Sequence, residues 1–335
     1  MKLQIPKTIT SVESGWCPGC GHGIVARVLA EVAEEMGVSD KIIMVRDVAC
    51  GAMISNVVTY DNVGGAHGRP IITAAGVKRV RKDALVVAHP GDGSAYSIGM
   101  ESTIHAALRN ENILALVVNN SVFGMTGGQM SPATLEGQKT TSSPAGRDIA
   151  YNGSPFDVTK ALKEFDIAYL ARGSVDSPAE VMKVKQYIRK ALEKQQRGEG
   201  FCLVEVLSPC PTNWGLSPVD SLTFMREKQK KFFQVGDHGE HDPHFSKSGS
   251  AQNGADLRGE NIFAVQVHTD GPVAHKRIGL LFCGEAGNDL VTAHIQCPKN
   301  HRLAIHCFYH GLIQEKLFLL RGGDPAAQKK KFCPK

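Results

Sequence analysis

The sequence has no long apolar run. Its purely aliphatic stretches, 84–88 and 113–118, are far shorter than the ~20 residues needed to cross a bilayer. The opening MKLQIPKTIT has no apolar core of the kind a secretory signal requires. Aromatic residues are scarce, at 6%, and no basic stripe is interleaved with them. The net charge is only +5, part of it in Lys329, Lys330 and Lys331. A membrane and nucleic acid are thereby excluded as partners, and a soluble, cytoplasmic protein is expected. No internal repeat is present.

What is there fits one large α/β domain, or one domain with an appendage. The 335 residues include nine cysteines, which in such a protein suggest metal ligands or reduced thiols rather than a disulfide framework. Cys17, Cys20, Cys50, Cys202 and Cys210 form an early set, and Cys283, Cys297, Cys307 and Cys333 a late one.

Periodicity predicts a helix over 22–36, with Ile24, Val25, Val28, Leu29, Val32 and Met36 on one face and Gly37 as its stop. Strands are expected at 41–45, 84–88, 113–118, 167–171 and 201–207, and helices at 97–109, 156–165 and 178–195. Residues 119–155 are rich in Gly, Ser, Thr and Pro and read as a long loop, a length usually kept for function or disorder. Strand alternating with helix implies a parallel sheet with helices on both faces. Ligands of such sheets bind beyond the carboxyl ends of the strands. The character changes after about residue 225, so the expected boundary separates a domain over 1–230 from a C-terminal extension over 231–335.

Asp92 and Asn120 each follow an expected strand, with one helix between them. Magnesium takes oxygen ligands and shares them with phosphates, so the Asp92 carboxylate, the Asn120 amide oxygen and a nearby backbone carbonyl suit it. Gly91 and Gly93 let the backbone approach a diphosphate, and a helix N-terminus after Ser94 favours anionic oxygens. Gly-Asp-Gly alone is equally a plain turn; strand, turn, helix, strand and Asn-Asn together favour a site.

Cys17 and Cys20 lie in the run CPGCGHG. Such a pair serves zinc, a redox dithiol or half of an iron–sulfur site. Cys50 and Cys210 follow strands, where a sheet-edge site gathers distant residues. Cys202, inside a strand, reads as a packed core thiol. His22 either faces a ligand or caps the helix that follows it.

Residues 91–134, GDGSAYSIGMESTIHAALRNENILALVVNNSVFGMTGGQMSPAT, resemble the thiamine diphosphate motif of the 2-oxoacid:ferredoxin oxidoreductase β subunits. CPGCGH, the segment around Cys50 and SPCPT around Cys210 are similar to the same family, as is HGRPIITAAGVK at 67–78. The resemblance covers about residues 10–225 and implies a thiamine-diphosphate-binding fold. It implies Asp92, Asn120 and the Val122 carbonyl as magnesium ligands, with Gly93, Ser94, Gly124 and Met125 along the diphosphate. Val48, Ala49, Cys50 and Gly51 match a cofactor-contacting segment. His67 falls near cofactor and substrate, where the alternative is a surface loop histidine. Cys17, Cys20, Cys50 and Cys210 would hold a [4Fe–4S] cluster, with zinc as the rival occupant.

The implied activity is oxidative decarboxylation of a 2-oxoacid, with thiamine as carbanion stabiliser, coenzyme A as acyl acceptor and ferredoxin as electron acceptor. The family's carboxylate near the aminopyrimidine comes from a separate α subunit, so the chain should be inactive alone; γ or ferredoxin-like subunits are a further option. Gly127 stands where some relatives carry a substrate-loop Lys, and the text GQMSPATLEGQKTTSSP leans to 2-oxoglutarate or branched-chain substrates, 2-oxoglutarate favoured. Two other readings compete: a non-catalytic iron–sulfur or zinc protein of the same fold, and a thiamine decarboxylase or synthase without a redox role. The extension does not resemble the family's usual C-terminal segment. Its His294, Cys297, His301, His306, Cys307 and His310 lack the paired spacing of a familiar metal site.

Overall fold

The computed structural model describes residues 5–10 and 13–239, and beyond them the strands Asn261–Ile262, Val265–His268, Phe282–Cys283, Leu303–Cys307 and Phe318–Leu320. Nine strands fall in the first part: β1 Ile42–Arg46, β2 Asp61–Gly64, β3 Leu85–His89, β4 Leu114–Asn119, β5 Val122–Phe123, β6 Gln129–Met130, β7 Tyr169–Ser174, β8 Cys202–Leu207 and β9 Gly236–Gly239. Seven form one sheet in the order β2-β1-β3-β4-β8-β7-β9. All its pairs are parallel except β7 with β9.

The side-chain period of two splits the sheet's residues between two cores. Met44, Val87, Leu116 and Val204 face the helices His22–Glu35 and Pro178–Arg197, packing with Val25, Leu29, Val184 and Ile188. Val45, Val86, Ala115 and Leu203 face the other way, toward Ile71, Ala74 and Ala106 of the helices Pro70–Val80 and Met100–Leu108. Burial on both faces is why β3, β4 and β8 are largely apolar runs, β8 carrying the buried Glu205. Each fully buried Leu or Val contributes roughly 1.5–3 kcal/mol of transfer free energy. The helix Pro178–Arg197 is closed at both ends: Ser177 accepts the Glu180 N–H, and Gly198 takes the left-handed φ of 72°.

Several elements depart from the sequence expectations. The expected helix at 97–109 begins as a π turn, Ser94–Ile98, and continues as Met100–Leu108. The one expected at 156–165 is only Val158–Ala161, because Phe165 turns back onto Leu162 to feed β7. β7 lies further along than 167–171, since it runs with β8 over its whole length. Its polar Arg172 is buried against Glu205 and disguises the strand in the sequence. The long loop holds the β5–β6 hairpin and a short helix, Ile149–Asn152. No element was expected at 50–80, where β2 and the helix Pro70–Val80 lie.

β9 continues the sheet past the expected boundary at 230, and the compact units are Met1–Gly249 and Ser250–Lys335. In the second, Asn261–Ile262 pairs antiparallel with Phe282–Cys283, and Leu303–Cys307 pairs antiparallel with both Val265–His268 and Phe318–Leu320. His306 and Cys307 fall in that central strand; His294, Cys297, His301 and His310 lie outside the described residues. Among the described residues, no helix is long and apolar enough to cross a membrane.

Candidate cofactor site

Four parallel strands deliver their carboxyl ends to one place. β1 leads into Asp47–Cys50, β3 into Gly91–Ser94, β4 into Asn120–Val122, and β8 into Ser208–Cys210. One pocket there is lined by Val48, Ala49, Cys50, Gly51, His67, Gly91, Asp92, Gly93, Ser94, Asn120, Val122, Gly124 and Met125, together with His22, Phe123 and Thr126. This is the strand edge where ligands of open α/β sheets bind.

Asp92 is fully buried, and burial pushes its carboxyl up to about 7. Hydrogen bonds from Ser131 Oγ to Oδ2 at 2.5 Å and from the Asn120 N–H to Oδ1 at 3.4 Å oppose that rise. A carboxylate so placed suits a cation that replaces its proton. Asn120 Oδ1 accepts the Val122 N–H at 3.3 Å, which brings Asn120 and Val122 to one turn. Ser121 between them has a left-handed φ of 59°, a conformation that side chains rarely adopt without cause. Ser94 Oγ is buried in the pocket with no partner among the described residues. A diphosphate oxygen would satisfy it. A Cβ on Gly93 would meet Phe123 Cε1 at 2.4 Å, so only glycine leaves the backbone accessible there.

A buried network holds this turn from behind. Arg172 pairs with Glu205 and, at 2.7 Å, with Asp157. Glu205 Oε1 accepts from Tyr96 Oη at 2.8 Å and from Asn119 Nδ2 at 3.0 Å. Asn119 Oδ1 accepts the Ser121 N–H at 3.0 Å.

On the other wall, His67 Nδ1 lies 3.3 Å from Asp47 Oδ1. His22 stacks on Trp16, and its ring meets His89 edge-on with centroids 5.7 Å apart. Burial, with His89 adding to it at His22, holds both imidazoles neutral, His22 down to about 3 and His89 down to about 4. His22 lines the pocket but does not cap its helix: the cap position is Gly21, with no side-chain hydrogen bond, and His22 Nδ1 has no partner among the described residues.

The four expected cluster cysteines approach one another beside this pocket. Burial, with the neighbouring cysteines adding to it, raises the thiol of Cys20 to about 11 and that of Cys50 to about 12. Cys210 is raised by burial too, with Cys17 adding to it. Thiols that repel one another's ionisation gain by sharing a positive core. Asn213 Nδ2 donates to Cys210 Sγ at 3.2 Å, and Trp16 Nε1 donates to the Cys50 carbonyl at 2.7 Å. Cys202 is remote from this group in its role: fully buried, with Sγ facing the Gly200 carbonyl at 3.7 Å. A Cβ on Gly124 would lie 3.4 Å from both Cys50 Sγ and Asn120 Nδ2, so one residue borders the thiol group and the Asp92–Asn120 turn. Among the described residues, no three His, Cys, Asp or Glu side chains are gathered tightly enough for a single metal ion.

Asp47, Phe123, Thr126, Ser131, Asn213 and Trp16 went unrecognised in the sequence. Phe123 and Thr126 stand inside the quoted motif, where position alone could have marked them. The others contact the site only through the fold.

The fold and pocket define a thiamine-diphosphate-binding domain: residues 47–206 match the family model for the thiamine pyrophosphate enzyme C-terminal TPP binding domain. Cys17, Cys20 and Cys210 lie outside that match. The chain is 35% identical over 216 residues to the 2-oxoglutarate synthase subunit KorB of Archaeoglobus fulgidus, covering 64% of this chain and 77% of that one. It is 38% identical over 221 residues to the ketoisovalerate oxidoreductase subunit VorA of Methanothermobacter thermautotrophicus, 66% of this chain. It spans about half of that relative's length, 46%. A solved 2-oxoglutarate:ferredoxin oxidoreductase from Magnetococcus marinus, with 2-oxoglutarate, coenzyme A and succinyl-CoA bound, superposes with a TM-score of 0.57 at 26% identity, covering 68% of this chain and 74% of that one. The chain belongs to the family of 2-oxoacid:ferredoxin oxidoreductase β subunits.

Proposed function

We propose that the chain is the cofactor-carrying β subunit of a 2-oxoacid:ferredoxin oxidoreductase, active with an α subunit that supplies the missing carboxylate. The observation that carries this reading is Gly124, which borders the thiol group and the Asp92–Asn120 turn together. An electron donor and an electron carrier in one pocket wall is what a redox decarboxylase needs; a structural zinc protein has no use for it.

Asp92, Asn120 and the Val122 carbonyl would hold magnesium. Gly91, Gly93, Ser94, Gly124 and Met125 would line the diphosphate, and Val48, Ala49, Cys50, Gly51 and His67 the rest of the cofactor. Cys17, Cys20, Cys50 and Cys210 would hold a [4Fe–4S] cluster. Bound thiamine diphosphate supplies an electron sink for decarboxylation of the 2-oxoacid, with ferredoxin and coenzyme A as the accepting partners. This chain's part is to bind the diphosphate, keep charge buried at Asp92 and keep the cluster against the cofactor. The substrate favoured is 2-oxoglutarate, which a relative and the superposed enzyme carry in their names; ketoisovalerate is the competitor.

The test is anaerobic co-purification with the α subunit, followed by iron, sulfide and thiamine assay and turnover with each oxoacid. Matched iron and thiamine with ferredoxin reduction is the expected result. Thiamine without iron would point to a non-redox decarboxylase, and iron or zinc without thiamine to a non-catalytic protein.

A further inference from the structure

The geometry points to Asp47 as the residue that fixes the tautomer of His67, leaving Nε2 a bare hydrogen-bond acceptor on the pocket side. Only what Nε2 meets rests on the function proposed above; the tautomer is a property of this chain.

Asp47 is the first residue after β1 and is fully buried. Its Oδ1 accepts the Val48 N–H at 2.8 Å and the Gly68 N–H at 3.3 Å. Two backbone donors on one oxygen make that oxygen an acceptor, and Oδ2 is the oxygen left without a partner. His67 Nδ1 stands 3.3 Å from the same atom. Facing an oxygen already committed to accepting, Nδ1 has to bring the proton. In the neutral ring Nε2 then carries none.

The placement is rigid. Gly68 has a left-handed φ of 78°, and Ile98 presses on it so closely that a Cβ would lie 2.5 Å from the Ile98 Cγ2. The same carboxylate therefore holds both the turn that carries His67 and the ring itself. His67 lines the pocket with Gly93 and Asn120, and its side chain is 30% exposed there. The ring edge not spent on Asp47 is free to meet a ligand. Its partner must be a donor, a hydroxyl or amino group of the bound molecule. Were Asp47 only a brace for two turns, no tautomer preference would follow.

The experiment uses the full chain labelled with ¹⁵N-histidine, with His67 assigned through His67→Gln, and reads long-range proton–nitrogen correlations of the neutral ring. The expected pattern is protonated Nδ1 and bare Nε2. Asp47→Ala should give a tautomer mixture. Asp47→Asn keeps an acceptor oxygen in the same seat, guards against misfolding and should keep the native pattern. A protonated Nε2 in the unaltered chain overturns the proposal, and so does a native pattern in folded Asp47→Ala. With the α subunit present, Asp47→Ala and His67→Gln should each lower kcat by about 10-fold or more. The double variant should be no worse than the singles; additive losses would overturn action through His67. Should the unaltered enzyme take up no thiamine, the cofactor-site reading fails, while the tautomer result still decides the role of Asp47.

Discussion

Ser131 gives its hydroxyl to Asp92 Oδ2, and the Ser131 carbonyl in turn accepts from Arg147 Nη1 at 3.2 Å. The loop between β4 and β7 is thus tied to the buried carboxyl by one serine and to itself by one guanidinium. Arg147 donates to the carbonyls of Ser131, Pro132, Thr134, Asn152, Gly153 and Ser154, with no carboxylate partner among the described residues. Replacing it leaves these acceptors without a donor, at about 1–3 kcal/mol for each that stays dry. We expect Arg147→Ala to lower stability by about 3 kcal/mol or more, a fall of roughly 6–12 °C in Tm for a unit of this size. Limited proteolysis should then cut first within 131–154. A variant that melts with the unaltered protein would contradict the stapling role.

The pH dependence of Asp92 runs opposite to that of most carboxylates. Burial raises its carboxyl from 3.8 to about 7, so the folded state keeps a proton that the unfolded chain has lost. The ligand-free fold is therefore favoured by this group at low pH, and that advantage is lost as pH rises from about 4 to about 7. At ~1.36 kcal/mol per pK unit the cost above this window is on the order of 4 kcal/mol. Asp92→Asn should raise the Tm of the ligand-free protein more at about pH 8 than at about pH 4. The same variant should lose the thermal shift that thiamine diphosphate with magnesium gives the native chain. Fluorimetric melts at both pH values check both halves; a retained ligand shift would remove Asp92 from the cation site.

Gly93 and Phe123 offer a reversible test of backbone access. Gly93→Ala drives a methyl into the Phe123 ring, an overpacking that costs typically 1–3 kcal/mol. Thiamine diphosphate affinity should fall by about 10- to 100-fold. Phe123→Ala in the same chain should restore most of it by making room. Titration calorimetry of the single and double variants decides, and a double variant as weak as Gly93→Ala would mean that the glycine serves something other than clearance.

The cysteines should divide sharply. Serine at 17, 20, 50 or 210 should lower iron and sulfide content, whereas Cys202→Ala should leave both unchanged and cost only packing. Asn213→Ala removes the donor to Cys210 Sγ. Hydrogen bonds to cluster sulfurs favour the reduced, more negative state. The midpoint potential should move negative, by on the order of tens of millivolts, with iron content intact. An unmoved potential would separate Asn213 from the cluster.

Much of the sheet was legible because β3, β4 and β8 are buried on both faces and read as largely aliphatic runs, β8 interrupted only by Glu205. β2 was not: Asp61, Asn62, Val63 and Gly64 are all exposed at the sheet's edge and carry no period. β7 was misplaced because its register is set by β8, and because Arg172 reads as surface until its partner Glu205 is known. The pocket residues were legible as a motif, since glycines and an acid after strands have a local reason to be there. Asp47, Ser131 and Asn213 were invisible for the opposite reason. An ordinary acid, serine or asparagine acquires its role only from what folds against it.

The four cysteines proposed as cluster ligands stand at residues 17, 20, 50 and 210, so the outermost two are nearly the two ends of the sheet domain's chain. A cluster held by all four would act as a cross-link closing the longest loop in that domain, so its binding energy would count toward folding as well as redox chemistry. Oxygen damage would then be felt as a mechanical failure. The protein would lose cooperativity and heat resistance together with its electrons, and a chain loaded with thiamine but stripped of iron would be the more fragile of the two half-filled forms.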